Sequence, residues 1–406
     1  MHSTMNARRA LAFIFCTVLL DMLALGLMIP VLPTIVLGFM GGDTASAAEV
    51  FGVFATVWGL MQFLCSPLLG ALSDRYGRRP VILISCLGLG LDYVFMAVAP
   101  SITLLLVGRV ISGITAATIS TAFAYIADVT PSDGRATAFG TVGMAFGLGF
   151  VVGPAIGGLL GGLDPRLPFW VAAAACLANA AFGWFVLPES LPQERRMAFA
   201  WKRANPVSSL NLLRSHRQLL GLAAVDFLAS VAHQVLPSVF VLYAAYRYGW
   251  SETIVGLTLA FVGVCTMVVQ GLLIGPIVGR LGARNALIAG LLTGGLGMAI
   301  YGLAPSGPWF WLGVPVMALW GLAGPAIQDM MSRRVSPSEQ GQLQGANGCS
   351  RSVAGLLAPG LFTGTFAYLI GWLPGAPFLL AAALLAAAAG VTWAVTMSPR
   401  ADGRPR

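Results

Sequence analysis

Apolar runs of roughly 20 residues, each long enough to cross about 30 Å of hydrocarbon as a helix, recur about twelve times along the 406-residue chain. The spans they predict are approximately 10–37, 48–72, 79–99, 102–127, 135–161, 167–187, 218–245, 253–278, 284–304, 308–332, 340–370 and 373–397. Short polar segments separate them. Gly70-Ala71-Leu72-Ser73-Asp74-Arg75-Tyr76-Gly77-Arg78-Arg79 is the densest, with four charges in ten residues between two long apolar runs. Gly77 permits a sharp turn there. Arg78 and Arg79 can reach anionic headgroups, and Asp74 can pair with a neighbouring arginine or a helix N-terminus.

Composition supports the same picture. Hydrophobic residues make up 57% of the chain and charged residues 9%, against about 25% charged in an ordinary soluble domain. With a mean hydropathy of +0.84, this is an all-α polytopic membrane protein. Threading the spans alternately puts 19 of the 23 Lys and Arg on one side. Arg166 and Arg247 fall on the other, and Arg109 and Arg351 lie within spans. Both termini are therefore expected in the cytoplasm. The net charge of +8 follows from that bias and carries no sign of nucleic-acid binding. Cys16, Cys65, Cys86, Cys176, Cys265 and Cys349 all fall inside predicted helices at no metal-ligand spacing, and read as small buried apolar residues. The N-terminal apolar stretch is too long for a signal h-region and lacks a clear cleavage site, so it reads as a retained first helix.

The chain also repeats itself at about half its length. Asp21-Met-Leu-Ala24 returns as Asp226-Phe-Leu-Ala229, and Val31-Leu32-Pro33 as Val235-Leu236-Pro237. The segment 70–79 returns as 275–284, with Gly279 where the aspartate was; 129–133 returns as 335–339; Pro154 is matched by Pro359. The expected organisation is a six-helix bundle over 1–187, a polar linker over 188–217 and a second six-helix bundle over 218–406. Parallel repeats of this kind place a substrate near the midplane between the halves.

Ionisable groups at membrane depth are costly, so each is a functional candidate, with a structural pairing role as the alternative. Asp21, about half-way along the first span and followed by Gly26, Pro30 and Pro33, is the first candidate for a protonatable coupling carboxylate. Burial disfavours the charged form of such a group and lets it exchange a proton. Asp92 on the third span is a candidate for substrate or proton contact, and Arg109 on the fourth is the natural counter-ion in this half. In the second half the candidates are Asp226, His233, seven residues further along the same face, and Asp329. Asp329 either pairs at the Arg333-Arg334 boundary or takes Arg351 as its partner. Gln62 suits orientation of a polyfunctional ligand because it both donates and accepts. Thr115, Thr118 and Ser120 read as interhelical glue. No catalytic or metal-binding constellation is read: His-Glu-x-x-His, Gly-x-Ser-x-Gly with partners and a Walker loop do not occur, so proton motive force rather than ATP is the expected energy source, with no bound cofactor.

On the fifth span, Gly149-Phe-Val-Val-Gly153-Pro154-Ala-Ile-Gly157-Gly158 lets helices approach closely and bends at Pro154. This pattern resembles the motif that marks antiporters of the major facilitator superfamily, and Gly70, Ser73, Asp74, Arg75, Gly77, Arg78 and Arg79 resemble that superfamily's cytoplasmic loop after its second helix. The likeness narrows to the tetracycline efflux branch of the drug:proton antiporters at 20–33, 60–64, Leu91-Asp92-Tyr93, 124–128, Leu187-Pro188-Glu189-Ser190 and 341–345. That resemblance implies proton-coupled efflux of a small amphipathic drug, with Asp21 and Asp92 as essential carboxylates, Gln62 in the substrate path, and Ser73, Asp74 and Arg78 in a cytoplasmic gate. It implies a substrate carried as a divalent-metal chelate, a bacterial inner membrane, and no nucleotide or nucleic-acid partner; a monomer is expected. The chain departs from the branch at Thr266 and Gly294, where its members carry a histidine on helix eight and an aspartate on helix nine. Asp226, His233 or Asp329 compensates, or other compounds are the substrates. Multidrug efflux, a proton-coupled importer or facilitator of a small metabolite, and, more remotely, a membrane-embedded enzyme are the competing readings.

Overall fold

The structure is a computed structural model that describes residues 2–115, 118–130, 135–196, 217–335 and 340–397. Among the described residues every regular element is helical. The α-helices are α1 (His2–Met28), α2 (Leu32–Phe39), α3 (Thr44–Tyr76), α4 (Arg78–Val98), α5 (Ile102–Thr115), α6 (Thr118–Val129), α7 (Arg135–Gly161) and α8 (Leu167–Val186). They continue as α9 (Arg217–His233), α10 (Val235–Tyr248), α11 (Glu252–Val268), α12 (Ile274–Leu303), α13 (Gly307–Ala318), α14 (Ala323–Ser332), α15 (Gln340–Leu369) and α16 (Ala376–Met397).

Nine helical segments among the described residues are long and apolar enough to cross a membrane. One of them, Glu252–Leu303, is 52 residues long, enough for two crossings, and it bends at Gly282, whose φ of 74° is open to glycine alone at little cost. Ile102–Thr115 and Gly147–Gly161 are shorter apolar helices on the predicted fourth and fifth spans. The twelve spans of the sequence thus each have a helical counterpart.

Several spans are broken where the sequence analysis drew them whole. The first divides at 29–31, because Pro30 and Pro33 withhold two ladder donors. The seventh divides at Gln234, where Pro237 cannot donate to the His233 carbonyl. The eighth widens into a π-helical turn at Val269–Leu273 ahead of Pro276, and the tenth tightens into a 3-10 turn at Leu319–Leu322 ahead of Pro325. The start of α3 is fixed locally. Asp43 caps it, its carboxylate accepting from the Ala45 N–H at 3.1 Å and the Ser46 hydroxyl at 2.5 Å. Those two bonds hold the Asp43 carboxyl below the usual aspartate range.

The helices group into two compact units, one of Met1–Asn205 with Ala244–Gly263, the other of Pro206–Tyr243 with Val264–Arg406. Within the first, α1 packs on α7 and α8, α4 on α8 and α5, and α3 on α5. Within the second, α9 packs on α15 and α16, and α12 on α16 and α13. Corresponding helices of the repeat therefore make corresponding pairs. The match reaches single residues. Gly77 and Gly282 both turn the chain with positive φ, at 107° and 74°. Two residues on from each, Arg79 lies over the Trp184 ring at 5.7 Å and Arg284 over the Trp393 ring at 4.9 Å.

Three cysteines, Cys86, Cys176 and Cys349, are buried as expected, and all six are free thiols. Cys16 is exposed and Cys65 and Cys265 are half-exposed, a correction to the reading of all six as buried. A weakly polar thiol on a membrane helix tolerates a hydrocarbon-facing position. Residues 197–216 of the expected linker, 131–134 and 336–339 of the echoed segments, the side chains of Thr118, Ser120, Gln342 and Gln344, and the burial of Gly341 and Gly345 lie outside what the structure describes.

Candidate functional site

The charged loop after α3 folds into a knot of ion pairs around Arg78. Its guanidinium donates to the Ser73 hydroxyl at 2.6 Å and to Asp128 Oδ2 at 3.1 Å, and pairs with Asp74 Oδ1 at 2.6 Å. Ser73, fully buried, passes its own hydroxyl proton to the Gly70 carbonyl at 2.9 Å. Arg78 thereby fastens the end of α3 to the end of α6. Its side chain is only 12% exposed, so the expectation that it reaches lipid headgroups is corrected. Arg79 also turns inward, donating to the Trp184 carbonyl at 2.6 Å. A guanidinium gains more from fixed acceptors on neighbouring helices than from mobile headgroups. Arg75 remains exposed beside the Tyr76 ring.

Two acids that complete this knot were not among the sequence candidates. Asp128, at the end of α6, takes Arg78 and also accepts the Ser190 hydroxyl at 3.2 Å. Glu189 caps α4: one carboxylate oxygen accepts the Arg78, Ser190 and Leu191 backbone N–H groups at 2.9, 2.9 and 3.0 Å. Its other oxygen lies 3.8 Å from Arg196. An anion at a helix N-terminus is favourable, and here it stands where Asp74 was one of the expected occupants. Gly77 leaves the space, since any side chain at that position would collide with Glu189. Fifty and more residues separate these acids from the loop, and no spacing rule links them. The only signal was their place in segments that resemble the antiporter branch.

Deeper in this unit lie the membrane charges. Asp21 on α1 is 6% exposed, and the thiols of Cys86 and Cys176 are within electrostatic reach of it. One turn before it, Thr17 donates to Asn179 Oδ1 at 3.3 Å, and the Asn179 amide donates to Cys86 at 3.6 Å. Asn179 is a further buried polar group that the sequence reading missed. Asp92 on α4 is 1% exposed, and neither of its oxygens accepts a hydrogen bond among the described residues. Arg109 on α5, 9% exposed, is the positive charge that acts on it, and Tyr93 lies within electrostatic reach of Asp21, Asp92 and Arg109 together. Gly108 makes this approach possible, because a Cβ there would stand 3.2 Å from Asp92 Oδ1 and 2.6 Å from Met96 Cγ. The other face of Arg109 is covered by the Trp58 ring at 5.3 Å. Gln62 stands one turn along α3 from Trp58, half-buried, on the same helix face.

The small residues of α7 are seams. Gly149 lies against Met22, Gly153 against Gly26 and Gly157 against Leu27, all on α1; an added Cβ would come within 2.7, 2.8 and 2.7 Å respectively. Pro154 is buried in the same seam, against Gly26. Gly158 faces α11, where a Cβ on it would stand 2.9 Å from Gly256 Cα, and Thr253 donates to the Gly158 carbonyl at 3.1 Å. Gly158→Val is expected to force these two helices apart. Substrate transport in membrane vesicles should fall by about tenfold or more, the equivalent of the 1–3 kcal/mol that overpacking costs.

In the second unit Asp226 lies 3.7 Å from Arg351, and Asp329 pairs instead with Arg333 at 2.8 Å. Arg351 is therefore not the partner of Asp329; four-residue spacing on one helix puts Arg333 in easier reach. His233 is exposed at the α9–α10 break, its ring 5.5 Å from that of Trp320. Thr266 is half-buried on α11, and Gly294 on α12 is buried beneath Trp320.

Twelve spans in two matched sets, intramembrane carboxylates beside an arginine and a charge-knotted loop after the second span define a secondary transporter. The family model described as Major Facilitator Superfamily matches residues 14–359, and the chain belongs to that superfamily. It is 39% identical over 383 residues, 94% of this chain and 95% of the relative, to the class C tetracycline resistance protein of Escherichia coli. To the class E tetracycline resistance protein of the same organism it is 35% identical, over 87% of this chain and 86% of that one. The human organic anion transporter MFSD10 shares its fold, with a TM-score of 0.70 and 23% identity over 95% of this chain and 99% of that one.

Proposed function

We propose that this chain exports a small amphipathic drug in exchange for protons, by alternating access, and that tetracycline carried as a divalent-metal chelate is among its substrates. The observation that supports this most directly is the pair of buried carboxylates, Asp21 and Asp92, one of them facing a buried arginine, in a chain similar along nearly its whole length to tetracycline resistance proteins. Removal from water disfavours the charged form of a carboxylate, and a change in its charge state alters which helix arrangement is favoured. Asp21, Asp92 and Arg109 are the coupling groups in this reading. Gln62, Asp92, Asp226, His233 and Asp329 contact or steer substrate, and the Arg78 knot holds the cytoplasmic end.

The remaining expectations belong to the same proposal. The protein sits in a bacterial inner membrane, a reading supported by its similarity to bacterial tetracycline resistance proteins. Both termini lie in the cytoplasm in this reading, because 19 of its 23 Lys and Arg fall on one side. It acts as a monomer, performs no covalent chemistry and draws on the proton gradient without a bound cofactor. Multidrug efflux without tetracycline preference is the second reading, favoured by Thr266 and Gly294 at the two positions where the branch has a histidine and an aspartate.

Inverted vesicles with an established pH gradient test the assignment. Adding tetracycline with magnesium, then a panel of unrelated amphipathic drugs, is expected to dissipate the gradient only where the chain is present. A gradient unmoved by every compound would remove the export reading, and uptake driven into cells would replace it with import.

A further inference from the structure

Two irregular turns of the second unit touch each other inside their spans. The π-helical turn Val269–Leu273 meets the 3-10 turn Leu319–Leu322, and a Cβ built at Gly321 lies 3.5 Å from Val269 Cγ1 and 3.8 Å from Gln270 Cγ. Irregular backbone at membrane depth is tolerated where it packs within protein or lines a cavity, and π-helical turns recur at functional sites. The side chains carried here are not those of a sealed core. Gln270 and His233 are exposed, and Trp320 is half-buried. The His233 and Trp320 rings stand 5.5 Å apart with their planes at 53°, so they form the two walls of a corner, with the Gln270 amide on the segment beside it.

The indole is set in place by a glycine. A Cβ at Gly294 would lie 2.7 Å from Trp320 Cγ and 2.9 Å from its Cβ. Gly294 is the position at which the antiporter branch would lead one to expect an aspartate, and here that volume is filled by the indole. A side chain at 294 and the indole at 320 could not share that volume. Asp226, seven residues before His233, is engaged with Arg351.

We infer that His233, Gln270 and Trp320 form a subsite that takes a planar aromatic ring of the transported compound, stacked on the indole and hydrogen-bonded at its edge by Gln270. The inference rests on the efflux reading, whose substrate it narrows to planar, polycyclic compounds recognised by ring contact. Stacking suits this role because every flat ring system presents a π-face, while a neutral amide serves ligand donors and acceptors alike. A fixed carboxylate would select for cations or metal chelates.

Binding to the purified full chain in detergent decides it, with two fluorescent probes: tetracycline with magnesium, and ethidium, a planar cation that chelates no metal. Trp320→Leu is expected to weaken both probes about tenfold, equivalent to about 1.4 kcal/mol, with Trp320→Tyr staying within about threefold of wild type. Gln270→Leu, an exposed position whose replacement leaves the packing intact, should weaken binding about threefold, and it decides the matter should Trp320→Leu fail to fold. Wild-type affinity in folded Trp320→Leu, or in Gln270→Leu where that variant stands alone, would overturn the subsite while leaving export standing if vesicle transport persists. Were wild type neither to bind nor to transport either probe or any compound of the panel, the efflux reading would fall and the subsite with it.

Discussion

Vesicles carrying Asp21→Asn are expected to hold an established proton gradient when substrate is added, with proton-coupled transport reduced by about a hundredfold, near the upper end of coupling free energies between sites. Asparagine has nearly the shape of aspartate, so the buried position is filled as before, but it has no proton to release. The surroundings argue for a defect in coupling more than in folding. Thr17, Asn179 and Cys86 are joined to one another by hydrogen bonds independently of the Asp21 carboxylate. Substrate binding to the purified variant should therefore stay within a few-fold of wild type, and its thermal midpoint should be close to that of the parent. Asp21→Glu, which keeps a titrating group on a longer arm, should recover part of the exchange. Wild-type gradient dissipation by Asp21→Asn would remove this residue from the coupling path and leave Asp92 with Arg109 to carry it.

Arg78→Ala should produce the largest loss in the cytoplasmic loop. Truncation removes three side-chain interactions at once, to Ser73, Asp74 and Asp128, and leaves the buried Ser73 hydroxyl, still donating to the Gly70 carbonyl, beside an empty volume. Hydrogen bonds to charged groups contribute about 1.5–3 kcal/mol when shielded. Asp74 is nearly half exposed and Asp128 about a quarter, so solvent screening brings the total for the knot to about 2–3 kcal/mol. Transport should fall by more than tenfold, with a lowered thermal midpoint for the purified protein. Arg78→Lys keeps the charge but cannot donate in a planar fork to three acceptors, so it should recover only part of either measure. Asp128→Asn should reproduce a fraction of the Arg78→Ala effect, because the amide keeps an oxygen acceptor but loses the charge that pairs with Arg78. Normal transport by Arg78→Ala would reduce the knot to a surface charge cluster.

The two predictions differ in how their residues could be found. Asp21 was legible from sequence because a lone acid inside an apolar run has one reading in physical terms: the cost of placing it there demands a use or a partner. Arg78 was legible as part of a dense polar loop, but its orientation was not. The loop's composition fitted contact with headgroups equally well, and only Asp128, 50 residues further on, draws the side chain inward, while Glu189, 111 residues on, accepts the Arg78 backbone N–H. Asn179 was hidden for another reason. Nothing in its span marks this amide out as the family resemblance marks Gln62, and its partners come from α1 and α4, far away in the chain.

The repeat shows how far local chemistry reaches. Glycines at 77 and 282 and arginines at 79 and 284 are readable as an echo, and the backbone turn and arginine-over-tryptophan contact recur in both units. The ion-paired knot does not recur, because Gly279 and Ala283 stand where the first half has Asp74 and Arg78. In the sequence, the partner of Asp329 was open between the Arg333-Arg334 boundary and Arg351. Helical spacing gave Arg333 to Asp329, while the packing of α9 on α15 gave Arg351 to Asp226.

By itself the sequence determined that the chain crosses a membrane about twelve times, that its basic residues gather in the loops of one side, that it is a duplicated design and which buried charges demand explanation. Each of these follows from the cost of moving polar groups or charges into hydrocarbon, a cost set by residue type and run length. Tertiary structure alone decided which acids tie down Arg78, how Asp92 meets Arg109 past Gly108, where prolines turn a span into π or 3-10 backbone, and that Gly294 makes room for Trp320. Those outcomes depend on which helices approach one another and how closely, and hydrogen bonds and close packing act over a few ångströms between residues the chain keeps far apart.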